Sequence, residues 1–463
     1  MAMFAASPAG ARIVRPAREL RGEVTVPGDK SITHRSVMLN AIGDGTATVT
    51  GAGLGADCLS TAACMRALGA TVRRRWRDGE LTDDLRRDPI TGQEERADAV
   101  LIVEGVGREG LREPANVLDA GNSGTTARLL TGILAGQRFF SVLTGDASLR
   151  SRPMGRVIQP LRQLGARLSA RAEDSLLPLS ALPATLRGAR LKLGVASAQL
   201  KSCLLLAGLY ADGATEIEQP EESRDHTERM LRSQGATIHQ VGLQLRIEGG
   251  TRLRAIDVPV PGDISSAAFW IVAGCIHPNA RVVVRNVGIN PTRTGILDVL
   301  REMGGRLTVE NERMAGGEPV ADIVAESSEL RGVNVDGALI PRLIDEVPVL
   351  AVAAAVARGT TTIRDASELR FKESDRLAAT ARELTALGAR VFELEDGLTI
   401  EGGRLRGGEV ESHDDHRMTM SMAVAALAAG APAIIAGGDC VDISYPTFWP
   451  DLERLAPGST REA

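Results

Sequence analysis

MRALGATVRRR, residues 65–75, closes a helical pattern with a glycine and opens a strand at once. The phrase returns as LRQLGA at 161–166, LRSQGA at 231–236, LREMGG at 300–305 and LTALGA at 384–389, each followed by a strand-like run. FWPDLERLAPG at 448–458 is a weaker sixth copy. The first five copies are separated by 96, 70, 69 and 84 residues, too far for a solenoid with repeats of about 20–50. The phrase therefore marks larger α/β units, and six of them divide into two domains of three. A second echo agrees: VPGDKS at 26–31 recurs as VPGDIS at 260–265, each a turn leading into a helix. The second copy lacks the lysine, so the turn explains the shared part and only Lys30 needs a functional reason.

Composition fits that reading. The chain has 463 residues, more than one ordinary core, with 43% hydrophobic and 24% charged residues. Aromatics are only 3% against 50 glycines, so the core is expected to be Ala, Leu, Val and Ile in a regular α/β repeat. A net charge of -5 gives no general attraction to nucleic acid or acidic lipid, and neither is expected as a partner. Any anion must be held by a local cluster of Lys and Arg. Cys58, Cys64, Cys203, Cys275 and Cys440 form no CxxC pair, which argues against a disulfide framework or zinc site and for a reducing compartment. MAMFAASPAGARIV lacks the pattern of an export signal, so a cytoplasmic protein is expected. The apolar stretches at 347–357 and 418–429 are short for a membrane span and read as buried helices. Residues 76–99, charged and without apolar periodicity, read as an exposed loop or hairpin.

The chemistry sits in polar clusters where helices begin. GDKSITHRSVML puts Lys30, Ser31 and Arg35 near a first turn, where the helix dipole disfavours cations unless an anion is bound; a solvated basic end is the alternative. LDAGNSGTTARLL sets Gly124 in a glycine-rich turn whose free amides make an anion cradle or simply a well-capped helix. Arg150 and Arg152 precede Pro153, a good first helical residue, and an arginine fork grips phosphate or carboxylate. In GVASAQLKS, Ser197 is the cap and Gln199 lies in the first turn. IPRLIDEVPVLA leaves Asp345 or Glu346 as a candidate base ahead of an apolar helix, though acids there are also routine dipole partners. RFKESDRL adds Lys372, Glu373 and Arg376, and SHDDHRM adds Arg417, with Asp414 and Asp415 read as caps. His413 and His416 lack a third ligand at metal spacing, so no metal is expected. Cations at so many helix starts in an acidic chain suit a site for two strongly anionic substrates.

PGDKSITHR, GNSGTTARLL, SRPMG, ASAQLKS, LIDEVPVLA, RFKESDRL and DDHRM, in this order over residues 26–450, closely resemble the 5-enolpyruvylshikimate-3-phosphate synthase family of enolpyruvyl transferases. The resemblance implies a two-domain inverted α/β barrel-like fold of six βαβαββ repeats, three per domain. Residues 21–254 would form one domain and 1–20 with 255–463 the other, with the active site in the cleft between them. It implies a reaction of phosphoenolpyruvate with shikimate 3-phosphate, no cofactor, and a monomer. By motif, Lys30, Ser31, Arg35, Ser197, Asp345 and Lys372 resemble the shikimate 3-phosphate contacts. Lys30, Gly124, Arg152, Gln199, Arg376 and Arg417 resemble the phosphoenolpyruvate contacts. Asp345 resembles the base, Glu373 the acid, and Lys30 is shared between the substrates. Ile443 stands where many members carry Lys, and Ala198 where some carry a second Ser. Gly124 lies where an alanine in some members crowds out glyphosate, which implies a glyphosate-sensitive enzyme. The rival readings are a UDP-N-acetylglucosamine enolpyruvyl transferase, whose reactive cysteine loop is not found here, and a non-catalytic anion-binding protein on the same scaffold.

Overall fold

The five glycine-ended phrases close in one way. In a computed structural model, which describes residues 10–76, 79–87 and 99–463, Gly69, Gly165, Gly235, Gly304 and Gly388 have φ of 101°, 96°, 102°, 95° and 91°. That region is open to glycine and strained for a side chain. The next amide bonds back five residues: Ala70 to Met65 at 3.1 Å, Ala166 to Leu161 at 3.1 Å, Ala236 to Leu231 at 2.8 Å, Gly305 to Leu300 at 2.7 Å and Ala389 to Leu384 at 2.9 Å. These are Schellman endings, which satisfy the last helical carbonyls and release the chain directly into a strand. In three copies an arginine spans the turn: Arg66 Nε, Arg162 Nη2 and Arg232 Nε donate to the carbonyls of Val72, Leu168 and Ile238 at 2.7, 2.6 and 3.3 Å. The sixth phrase ends helix Phe448–Leu455, with Gly458 at φ 77° before strand Thr460–Glu462.

Among the described residues six sheets result, with one plan: an edge strand parallel to the second, then antiparallel strands. Arg190–Lys192 pairs parallel with Ala214–Glu218, followed by Gln244–Glu248 and Ile238–Val241. Asn334–Val335, Thr360–Ile363, Gly397–Glu401 and Arg390–Leu394 repeat the order. Each is a βαβαββ repeat, as the sequence implied. In two sheets the leading strand comes from far along the chain. Leu20–Thr25 pairs with Ala280–Gly288, while Val258–Pro259 pairs with Asp44–Ala52. Arg12–Val14 completes the sheet of Ala433–Ala436 and Thr460–Glu462.

The described chain divides into one unit of residues 10–27, 262–313 and 319–463, and a second of the rest of 28–261 with 314–318. The divisions fall inside the two PGD turns, rather than at 20/21 and 254/255, because each leading strand pairs before the turn that follows it. Each unit has its own apolar core. In the second unit, helix Gly124–Leu134 packs on helix Ala198–Tyr210 so closely that a Cβ on Gly132 would lie 2.2 Å from the Cys203 carbonyl oxygen. In the first unit, Ile264–Ile276, Val347–Val356 and His416–Leu427 pack together, the latter two being the apolar stretches read as buried helices. No helix among the described residues is long and apolar enough to cross a membrane.

The described part of the 76–99 segment forms the hairpin that the sequence allowed, with most of residues 79–87 exposed. Leu81–Thr82 pairs with Arg74 and Arg75, and Trp76 and Leu85 are buried. Arg74, also buried, stacks 3.7 Å from the Trp76 ring centroid and donates to the Leu85 carbonyl at 3.1 Å. Residues 77–78 and 88–98 of that segment lie outside the described residues.

A Cβ on Gly235 would meet nothing within 4 Å, so Gly235→Ala isolates the backbone requirement. It is expected to destabilise the protein by about 1–2 kcal/mol in urea unfolding; an unchanged midpoint would contradict this account of the helix ends.

Candidate active site

In the second unit, the first helix of each repeat presents a polar N-terminus. Asp29 caps Lys30–Ala41, accepting from the Ile32 amide at 2.9 Å. Lys30, the first helical residue, meets the buried Asp57 at 2.8 Å. Asp57 lies in the first turn of helix Ala56–Ala67, a normal place for an acid beside a helix dipole. Arg35 is buried and donates to Thr227 Oγ1 at 2.6 Å, Ser202 Oγ at 2.9 Å and the Ser31 carbonyl at 2.9 Å. It therefore fixes the first turn that carries Ser31.

A second group surrounds Gly124, first residue of its helix, whose cap Ser123 accepts from the Thr126 amide at 3.1 Å. Gln199 donates to Thr125 Oγ1 at 3.0 Å and accepts from Arg128 Nη1 at 2.7 Å. Arg152 donates to Asn122 Oδ1 at 2.6 Å and Ser148 Oγ at 3.0 Å. A Cβ on Gly124 would lie 2.7 Å from Arg128 Nη1 and 3.7 Å from Arg152 Nη1, so both guanidinium groups border the space this glycine leaves. Ser197 caps Ala198–Tyr210, as the sequence predicted. The helix after Arg152 starts at Gly155, two residues beyond Pro153, and the Met154 amide donates to the Ser175 carbonyl at 2.7 Å.

The first unit brings the acids together around one cation. Arg376 opens helix Arg376–Ala386 with 1% of its side chain exposed. It donates to Asp415 Oδ2 and Oδ1 at 2.7 and 3.2 Å, Glu373 Oε2 at 2.6 Å and Asp345 Oδ1 at 3.4 Å. Lys372 Nζ lies 3.6 Å from the same Asp345 oxygen, and Arg417 Nη1 donates to the Asp345 carbonyl at 3.3 Å. Burial by itself would lower the pKa of Arg376, but Asp415, Glu373 and Asp345 outweigh it and hold the guanidinium above its ordinary range. Burial would likewise raise Asp415, yet the Arg376 charge keeps this carboxyl below its usual value.

Asp415 does more than the cap read from sequence. It accepts from the Arg417 amide at 2.9 Å and from Ser374 Oγ at 3.0 Å while holding Arg376. His413 pairs with Glu383 at 2.8 Å. Two further groups went unread: Asp57, whose only signal was an acid early in a helix, and Arg128, one helical turn after Gly124. Among the charged groups named here, the second unit has four cations, Lys30, Arg35, Arg128 and Arg152, against Asp29 and Asp57. The first unit sets Lys372, Arg376 and Arg417 against Asp345, Glu373, Glu383 and Asp415.

Two units of three βαβαββ repeats, with polar groups gathered at helix starts, define an enolpyruvyl transferase architecture. A family model described as EPSP synthase (3-phosphoshikimate 1-carboxyvinyltransferase) matches residues 14–452. The chain is 54% identical over 455 residues to a 3-phosphoshikimate 1-carboxyvinyltransferase of Synechococcus sp. (strain JA-3-3Ab), covering 97% of this chain and 98% of that protein. It is 53% identical over 443 residues to one of Desulforudis audaxviator (strain MP104C), covering 96% and 98%. A solved EPSP synthase structure from Acinetobacter baumannii matches with a TM-score of 0.82 at 43% identity, covering 97% of this chain and 99% of that one. The chain belongs to the EPSP synthase family.

The depressed Asp415 carboxyl has a stability consequence. Its contribution is present above the unfolded value of about 3.9 and is lost as pH falls through the lower folded value. Asp415→Asn is therefore expected to be destabilised most at neutral pH, with the gap to wild type narrowing below about pH 4. Urea unfolding across that range checks it, and a gap independent of pH would contradict the assignment.

Proposed function

We propose that this chain transfers the enolpyruvyl group of phosphoenolpyruvate to the 5-hydroxyl of shikimate 3-phosphate, releasing phosphate, in aromatic amino acid biosynthesis. The observation that carries the mechanism is the pair Asp345 and Glu373 on one buried guanidinium, with a surplus of cations in the other unit. Two polyanionic substrates call for the surplus, and an addition followed by an elimination calls for two carboxyl groups.

Asp345 takes the proton of the 5-hydroxyl as its oxygen bonds to C2 of phosphoenolpyruvate, and Glu373 delivers a proton to C3, turning methylene into methyl. The tetrahedral product carries both the new ether and the phosphate. Glu373 then withdraws a methyl proton, the C2–C3 double bond re-forms and phosphate leaves with its C–O electron pair, taking up the proton that Asp345 removed and so returning Asp345 to its carboxylate. Lys30, Ser31, Arg35, Ser197 and Lys372, with Asp345, serve shikimate 3-phosphate; Lys30, Gly124, Arg152, Gln199, Arg376 and Arg417 serve phosphoenolpyruvate. Arg128, hydrogen-bonded to Gln199, joins the second set. Fixed guanidinium groups supply charge stabilisation without reorganising during the reaction. In this reading the enzyme is a cytoplasmic monomer, as the sequence and the family resemblance imply. The UDP-N-acetylglucosamine reading is not favoured, since the matched family and the relatives above are shikimate enzymes.

Phosphate release from the purified protein tests this. Release is expected only with both substrates and should fall by about 100-fold or more in Asp345→Asn; release from phosphoenolpyruvate alone, or an unimpaired variant, would contradict the reading. A glycine at position 124 also implies, by the family resemblance, inhibition by glyphosate that Gly124→Ala relieves, because the new Cβ would lie 2.7 Å from Arg128 Nη1 and displace it. Unchanged wild-type activity at millimolar glyphosate would refute it.

A further inference from the structure

The second PGD turn has no part in the reaction described above, yet it begins a buried polar chain. Asp263 caps Ile264–Ile276, its Oδ1 accepting from the Ser265 amide at 2.9 Å and from Arg293 Nη2 at 3.3 Å. The same Nη2 donates to Ser265 Oγ at 2.8 Å, and that hydroxyl donates to Glu346 Oε1, which lies 3.9 Å from Arg293. The Arg293 and Glu346 side chains are 2% and 0% exposed. Glu346 closes the short turn Ile344–Glu346 and leads into the apolar helix Val347–Val356, immediately after Asp345.

The two PGD turns thus use a cation and an acid differently. In the first, Lys30 sits on the turn and meets Asp57 from the next helix. In the second, Ile264 takes the lysine position and the cation is Arg293, just before helix Gly295–Glu302. A carboxylate buried against a guanidinium and a hydroxyl is difficult to move, because displacement strands charge away from water. Adjacent Cα atoms are only about 3.8 Å apart, so whatever fixes Glu346 fixes the backbone of Asp345. The Asp345 carboxylate lies 3.4 Å from Arg376 and 3.6 Å from Lys372, and the direction in which it is presented is set by the backbone that carries it.

We propose that Glu346, held by Ser265 and Arg293, is a positioning residue for Asp345. It touches no substrate and acts by setting the base carboxylate against the hydroxyl it deprotonates. The proposal rests on Asp345 being the base.

Phosphate release under saturating substrates tests it in wild type, Glu346→Gln, Asp345→Asn and the double variant. Glu346→Gln is expected to lower kcat by about 10- to 100-fold, the effect of a misplacement near 1 Å, with KM for both substrates within about 3-fold. In the Asp345→Asn background the same change should add nothing, since no base is left to position. Ser265→Ala, which keeps the Arg293–Glu346 pair, should give a smaller fall in kcat and decides the matter by the same criteria if Glu346→Gln does not fold. A folded variant with wild-type kcat, or an equal loss in both backgrounds, would overturn the positioning role while leaving the base intact. Wild-type kcat in Asp345→Asn would overturn the base assignment, and the proposal with it.

Discussion

A guanidinium with 1% of its side chain exposed stays charged only if the protein supplies acids, and Arg376 has three. Asp415 takes two of its donors and caps the helix that carries Arg417; Glu373 and Asp345 are drawn onto the same centre. Because one planar group holds all three, Asp345, Glu373 and, through Asp415, Arg417 are brought into register by a single interaction. Removing any one acid would leave buried charge less compensated, which costs several kcal/mol in such settings. The cluster's precision is therefore tied to the stability of the first unit.

Duplication explains why the site has this form. Each βαβαββ repeat returns two helices after their strands, and the helix starts repeat with it. One scaffold position has been put to different uses: the second unit gathers surplus cations at these starts, whereas the first balances cations against acids. The PGD turn shows the same divergence at the scale of four residues, with Lys30 on one copy and a buried Arg293 relay behind the other.

What the sequence revealed follows from how local each feature is. Gly388 ending a helix, Ser197 capping one and the alternation of helix with strand depend on a few neighbouring residues, and these were legible along with the six units. The pairing of Leu20–Thr25 with Ala280–Gly288 joins segments over 250 residues apart and leaves no local signal; the domain boundaries moved to the PGD turns for that reason. The matched motif residues were legible as cations and acids at helix starts. Asp57 and Arg128 were not, because an acid early in a helix and an arginine one turn along are both ordinary, and their meaning lies in the partners that folding provides, Lys30 and Gln199. The burial of Trp76 against Arg74 likewise leaves no signal in the charged run around it.

The most direct test of the account is kcat/KM for phosphoenolpyruvate in Arg376→Lys, read alongside the unfolding midpoint. A lysine keeps the charge but not the fork that reaches Asp415, Glu373 and Asp345 together. The account predicts a loss of at least about 100-fold in a protein that still folds. A folded variant within about 2-fold of wild type would show that charge alone is sufficient and that Arg376 does not organise the site.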